Sequence, residues 1–330
     1  MSAFATRIAR IWYDGVPVPW WLRALVPVYR GLRALHLAPY RLGLRRAARV
    51  AAPVVVVGNL TAGGSGKTPL AIALAENLRL HGFRPGVVSR GYGGSEEGPL
   101  LLDDLPDPRR VGDEPCVIRR RAGVEVAVGR DRARAAALLL ERGVNVVIAD
   151  DGLQHVALAR DIEICVIDGQ RRFGNGLLLP AGPLREPPAR LGTIPFRVCN
   201  GGAAQAGEVP MRLVGDVAVP VQRTAMTRPL ESFAGQRVHA VAAIGNPERF
   251  FLALRAHGIE VVPHPFPDHH AFVAGDLAFG DERPVLMTEK DAVKCVAFAD
   301  ARHWCVPVRA ELPAPFFDAV IERLRALKAP

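Results

Sequence analysis

Cysteine is scarce and scattered in this chain. Its five residues, Cys116, Cys165, Cys199, Cys295 and Cys305, form no C-x-x-C pair, which leaves no basis for a disulfide framework or a cysteine zinc site. A reducing, cytoplasmic setting fits that usage. Long apolar runs are missing too: no stretch approaches the roughly 20 residues that a membrane-spanning helix needs. Basic residues interrupt every candidate apolar core of a signal peptide. Acid is nearly absent from residues 1–49, where Asp14 stands against nine arginines, so this stretch alone holds +8 of the formal +9. The rest of the chain is almost neutral, which argues against a nucleic-acid footprint.

What the first 49 residues do contain is aromatic and aliphatic. Three of the four tryptophans, Trp12, Trp20 and Trp21, alternate there with Tyr13, Leu22, Leu25, Tyr29, Leu32 and Leu35 and with the arginines. That mixture suits a helix, or two broken near Pro27, lying in a bilayer interface with arginines toward anionic lipid. Residues 1–49 therefore read as a basic amphipathic membrane-associating segment.

At 330 residues the chain exceeds one ordinary domain. Short β-rich runs at 53–57, 84–89, 124–128, 144–149, 162–167 and 194–199 alternate with helical patterns at 67–81 and 130–142. Continuous apolar strands separated by helices predict a parallel sheet covered on both faces. The fold class is α/β: a P-loop-containing, doubly wound parallel sheet over 50–208, with a second, smaller α/β domain over 231–330. Residues 209–230 alternate weakly and read as a two-stranded linker. The second series runs through 238–247, 259–264, 284–291 and 304–308 to a terminal helix.

The most informative stretch is GNLTAGGSGKTP, residues 58–69, directly after PVVVV. The general phosphate loop is G-x-x-x-x-G-K-[ST], and Thr61 stands where its first glycine belongs. A strand before, a helix after, and Gly63, Gly64, Ser65 and Gly66 between them supply the bare backbone N–H groups that an anion needs. Lys67 would reach the β and γ phosphates of ATP, and the Thr68 hydroxyl would bind Mg²⁺. In VNVVIADDGLQH an apolar run ends on Asp150 and Asp151; two adjacent acids there need pairing or a metal. Residues that could take or orient a hydroxyl proton are Asp113 and Glu114 in VGDEP and Asp268, His269 and His270 in FPDHH. Spacing alone does not join them. His264, His269 and His270 lack the companion ligands of a zinc site. TEKDAVK, 288–294, reads as a strand-end loop with Asp291 near a helix N-terminus.

Together GNLTAGGSGKTP, SRGYGG (89–94), VGDEP, DDGLQH, GNGLLLPAGPLREP (174–187), FPDHH and TEKDAVK resemble the tetraacyldisaccharide 4′-kinases of lipid A biosynthesis over nearly the whole chain. In that family the threonine at the Thr61 position is usual. The resemblance implies two α/β/α domains and peripheral or monotopic placement on the cytoplasmic face of the bacterial inner membrane. It also implies transfer of the ATP γ-phosphate to the 4′-hydroxyl of a tetraacylated glucosamine disaccharide 1-phosphate. Carried over by motif, Lys67 and Thr68 bind nucleotide and Mg²⁺, Asp113 is the base and His269 tunes or relays its proton. Glu114, Asp150 and Asp151 organise Mg²⁺, with the directly bound acid left open, and Gln154, His155, Arg171 and Asn175 contact the lipid headgroup. No nucleic acid and no obligate protein partner is expected. A P-loop ATPase driving movement at the membrane surface is the alternative, distinguished by phosphate release without an acceptor; a non-enzymatic nucleotide-binding module would leave VGDEP and DHH without a purpose.

Overall fold

A computed structural model of the chain describes residues 3–222 and 226–328. The parts of the expected basic segment, linker and second domain at 1–2, 223–225 and 329–330 lie outside the described residues.

Two helices come first, α1 (Ala3–Tyr13) and α2 (Trp20–Arg41). The break between them falls in the stretch Asp14–Pro19, DGVPVP, and α2 runs through Pro27, so the expected break near Pro27 is displaced. Two prolines and a left-handed Gly15 (φ 72°) end a helix more decisively than one proline inside it.

The first sheet begins with β1 (Val54–Gly58), β2 (Pro85–Ser89), β3 (Leu100–Leu101), β4 (Glu125–Val128), β5 (Val146–Asp150), β6 (Ile162–Asp168), β7 (Phe196–Asn200) and β8 (Val209–Val214). Helices α3 (Lys67–Leu80), α4 (Pro108–Val111), α5 (Asp113–Ala122) and α6 (Arg132–Glu141) lie between these strands. A second sheet uses β9 (Val217–Pro220), β10 (Arg228–Pro229), β11 (Arg237–Ala242), β12 (Glu260–Pro265), β13 (Val285–Thr288) and β14 (His303–Val306), with α7 (Pro247–Ala256) and α8 (Glu289–Cys295) between them. The chain closes with β15 (Arg309–Glu311) and α9 (Ala314–Lys328).

The nine-stranded sheet has the order β15-β8-β7-β6-β1-β5-β2-β4-β3, and the six-stranded one β10-β9-β14-β13-β11-β12. β1, β5, β2, β4, β6, β7 and β8 are mutually parallel, with β3 and β15 antiparallel at the edges. The all-apolar reading of the central strands has a direct cause: Val54, Val55, Val56 and Val57 are all buried because helices cover both faces. Leu70, Leu74 and Leu78 of α3 and Phe316, Val320 and Leu324 of α9 pack on one face; Ala135, Ala136 and Leu139 of α6 pack on the other.

The two sheets are joined by an antiparallel ribbon of two strands, but not one made from 209–230 alone. β8 pairs with β7 and β15, while β9 pairs with β14 and β10, so β8–β9 crosses between the sheets once and β14–β15 crosses back beside it. The chain then returns α9 to the first core, so residues 309–328 pack with the phosphate-loop sheet rather than the second one. The three residues RAE of β15 show no apolar alternation, which is why the crossing back is invisible in the sequence.

Candidate active site

Parallel α/β sheets bind ligands outside the carboxyl ends of their strands. In this chain those ends carry the loop after β1, Asp150 at the end of β5, and the turn after β4. Asn59, Thr61, Ser65, Lys67 and Thr68 are all buried at the first of these. Gly63 (φ 102°) and Gly66 (φ 93°) take backbone angles that L side chains rarely adopt, and Gly66 caps α3 with no side-chain hydrogen bond at its N-terminus. The amide ends of α3 are thus left to an anion. Asn200 Nδ2 donates to Ser65 O at 2.9 Å and steadies the loop from β7. Thr61 bridges to Leu184, so it ties the loop to 177–185 at the position where a glycine would leave the backbone free.

Lys67 Nζ lies 3.2 Å from Asn59 Oδ1 and 3.4 Å from Asp151 Oδ1. Thr68 Oγ1 donates to Asp150 Oδ2 at 3.2 Å. Burial first, then the charges of Glu114 and Asp151, push the fully buried Asp150 carboxyl up to about 7. Burial acts the same way on Asp151, but Lys67 and Arg185 outweigh it and bring that group down to about 2. Arg185 Nη1 holds both Asp151 oxygens at 3.0 Å, and Asp151 sits at a positive φ of 49°. The two neighbouring acids therefore differ: Asp151 is locked by cations, while Asp150 is an under-compensated carboxylate beside a hydroxyl.

Asp113, at the start of α5, meets His269 of the loop after β12. His269 Nδ1 and Asp113 Oδ2 are 3.1 Å apart. Oδ1 of Asp113 accepts no hydrogen bond among the described residues. Burial raises the Asp113 carboxyl, but the His269 hydrogen bond and the Lys294 and Lys290 charges outweigh it and hold the group below its ordinary value. The same hydrogen bond raises His269 against its burial. His269 has φ 60° and its ring meets Tyr92 of SRGYGG edge-on at 5.3 Å. Both dyad residues line a cleft of about 1000 Å³ between α4, α5, α8 and the loop 269–272.

The other sequence candidates spread out. Glu114 is paired with Lys290, whose charge lowers its carboxyl most. Gln154 Nε2 donates to Asn59 O at 3.0 Å and Glu186 Oε1 at 2.9 Å, at the floor of the phosphate loop. His155 is turned to a groove lined by Arg46, Arg49, Arg130 and Arg134; burial, Arg132 and Arg160 lower it to about 4. Asn175 uses its side chain on Ile11 O and Ala181 O, which fastens α1, and Arg171 lies over the Tyr13 ring at 5.0 Å.

Sequence reasoning missed Arg132, Arg185 and Glu186. Arg132 is buried, lowered to about 10 by that burial, and donates Nη2 to Asp151 O at 3.0 Å. Its Nε and Nη1, like Ser65 Oγ, are buried without a hydrogen-bond partner among the described residues. The available signal was GRD-R immediately after a parallel strand, the place where ligand-facing side chains cluster. Glu186 joins Arg33 of α2 to Gln154, and Tyr29 donates to Arg185 O at 2.9 Å, so the N-terminal helices rest on the residues that surround Asp151.

Compared with known proteins, the chain matches the tetraacyldisaccharide-1-P 4′-kinase family over residues 18–325. The chain belongs to that family. A tetraacyldisaccharide 4′-kinase of Stenotrophomonas maltophilia is 52% identical over 338 residues, covering 99% of each chain. One of Xanthomonas euvesicatoria is 53% identical over 340 residues, covering 99% of this chain and 98% of the relative. Among solved structures, LpxK from Aquifex aeolicus in complex with ATP superposes with a TM-score of 0.76 at 25% identity, covering 92% of this chain and 99% of that one. As a tetraacyldisaccharide-1-P 4′-kinase the chain is a phosphotransferase with ATP as donor. No helix among the described residues is long and apolar enough to cross a membrane.

Proposed function

We propose that this kinase transfers the ATP γ-phosphate to the 4′-hydroxyl of a tetraacylated glucosamine disaccharide 1-phosphate through Asp113 as proton acceptor. The observation that carries this reading is the Asp113–His269 pair, one residue beside each sheet, held 3.1 Å apart with Asp113 Oδ1 accepting no hydrogen bond among the described residues. The α3 N-terminus, Lys67, Ser65 and Arg132 take the phosphates: Ser65 Oγ and Arg132 Nε and Nη1 are buried without a hydrogen-bond partner among the described residues, and such donors need an anion. The 4′-oxygen bonds to the γ phosphorus as the bond from that phosphorus to the ADP oxygen breaks. The hydroxyl proton passes to Asp113, with His269 fixing the carboxylate's orientation.

Thr68 and Asp150 fit Mg²⁺, because a hydroxyl and an under-compensated carboxylate are hard oxygen donors at 3.2 Å from one another. Mg²⁺ would neutralise charge developing on the transferred phosphoryl group. Asp151 orients Lys67 and Glu114 is held by Lys290, so neither is assigned as a direct ligand.

The exposed surface of the N-terminal helices supports a seat for the enzyme on the cytoplasmic face of the inner membrane. Trp20, Leu25, Val28, Leu32 and Leu35 are exposed on α2, with Arg23 and Arg30 beside them. The same helix touches Arg185 and Glu186 at the site, so a lipid held in the interface meets the phosphate loop. The two sheets act as domains that close over the substrate to exclude water. Incubation with ATP, Mg²⁺ and detergent-solubilised disaccharide 1-phosphate tests the assignment. One new phosphate at the 4′ position per ADP is expected; phosphate released equally with and without lipid would favour an ATPase.

A further inference from the structure

The segment TEKDAVK forms a capped helix rather than a bare loop. Thr288 caps α8, its hydroxyl accepting from Asp291 N at 3.3 Å and donating to Asp291 Oδ2 at 2.6 Å. Asp291 is completely buried and also accepts from Ala243 N at 3.0 Å. Ala243 O in turn accepts from His269 N at 3.3 Å. One carboxylate thereby fixes both α8 and the backbone that carries His269.

Asp291 Oδ1 lies 3.0 Å from Lys294 Nζ, and that ammonium approaches Asp113 Oδ2 to 3.5 Å. Lys294 is buried and lies over the Phe272 ring at 5.1 Å. Its Nζ is aligned for a hydrogen bond with no described group, so it acts on both acids as a charge rather than as a directed donor. Two further pairs bind α8 to α5: Lys290 with Glu114, and Glu289 with Arg121 at 2.7 Å. Along the two helices the pairs 113–294, 114–290 and 121–289 run antiparallel. A slip of one helical turn, about 5.4 Å, would part Lys294 from Asp113.

We infer that Lys294 is a positioning residue for 4′-phosphorylation: held by Asp291, it clamps the Asp113 carboxylate of one sheet beside the His269 of the other, leaving Oδ1 to face the hydroxyl. The inference rests on Asp113 being the proton acceptor. Without the ammonium, the two buried acids lose the charge between them, Asp113 keeps only His269 and the Lys290 charge, and its carboxylate turns or the sheets part. With Arg at 294 the charge stays. Arg121 and Glu289 act one step further out, by setting the register of α8.

Steady-state kinetics of Lys294→Met and Lys294→Arg, each in wild-type and Asp113→Ala backgrounds, test this. Lys294→Met should lower kcat about tenfold or more with the KM for ATP within about twofold, and Lys294→Arg should restore most of the loss. In the Asp113→Ala background, Lys294→Met should cost less than about twofold further, because the residue acts through a group already removed. Equal losses in both backgrounds, or an unchanged kcat, would overturn the inference. If Lys294→Met is not recovered folded, Arg121→Met in the same cycle carries the test, with a several-fold loss expected in wild type only. An undiminished kcat in Asp113→Ala alone removes the base assignment and the inference with it, whereas equal losses in both backgrounds remove the inference alone.

Discussion

His269 Nδ1 lies 3.1 Å from Asp113 Oδ2, across 156 positions of chain and between two separate sheets. The pair perturbs both partners in opposite directions, upward for His269 and downward for Asp113. A raised histidine contributes stability that is complete below its ordinary value of about 6.5 and is lost as pH rises through the raised one. A lowered carboxylate contributes stability above its ordinary value and loses it as pH falls through the lowered one. His269→Ala should therefore flatten the decline of thermal stability on the alkaline side of about pH 6.5. It should also lower kcat less than loss of Asp113 does. Melting curves across pH that superpose for variant and wild type would contradict the pairing.

Gly66 offers a sharp test of the phosphate loop. A Cβ built there would meet Asn200 Nδ2 at 2.6 Å, on a residue whose φ of 93° already disfavours any side chain. The left-handed conformation costs an L residue roughly 1–2 kcal/mol before the contact is counted. Gly66→Ala should lower the melting temperature and weaken ATP binding about tenfold or more, measured by calorimetry. Gly64→Ala, where no atom lies within 4 Å of the added carbon and φ is ordinary, should do neither to the same extent.

The α2 surface predicts membrane behaviour. Trp20 is 80% exposed and Leu32 63%, whereas Ile11 and Leu22 are buried among the side chains that hold the two helices to the body. Replacing Trp20 and Leu32 together with Glu should reduce co-sedimentation with anionic vesicles several-fold while leaving ATP binding intact. Raising the salt should weaken wild-type binding, since Arg23 and Arg30 share that surface. Undiminished sedimentation of the double variant would remove the membrane role from α2.

His155 gives a second pH signature. Burial and two arginines lower it to about 4, so the unfolded chain binds more protons than the folded one between about 6.5 and 4. Stability should fall as pH drops through that window, and His155→Gln should make the fall shallower. A steeper fall in the variant would contradict the assignment.

The central strands were legible because parallel strands covered on both faces are apolar at every position, as Val54–Val57 are. The places of GNLTAGGSGKTP and Asp150 in the fold were legible for the same reason, since one directly follows such a strand and the other ends one. The contact of Asp113 with His269 was not legible from spacing, because it depends on how two sheets pack, which no local period encodes. The helix start near Asp291 was legible, but TEKDAVK was read as a loop, although T-E-K-D is a capping pattern in which Thr288 and Asp291 satisfy one another and α8 runs from Glu289 to Cys295. Lys294 then looks like a surface residue of a short helix, and only the α5–α8 contact reveals it beside Asp113.

The most direct measurement is kcat and ATP affinity for Asp113→Ala with the lipid disaccharide as acceptor. The kcat should fall by about 10²–10⁴ with ATP binding within about threefold of wild type, because Asp113 acts on the hydroxyl and not on the nucleotide. An unchanged kcat, or a loss explained wholly by weaker ATP binding, would contradict it.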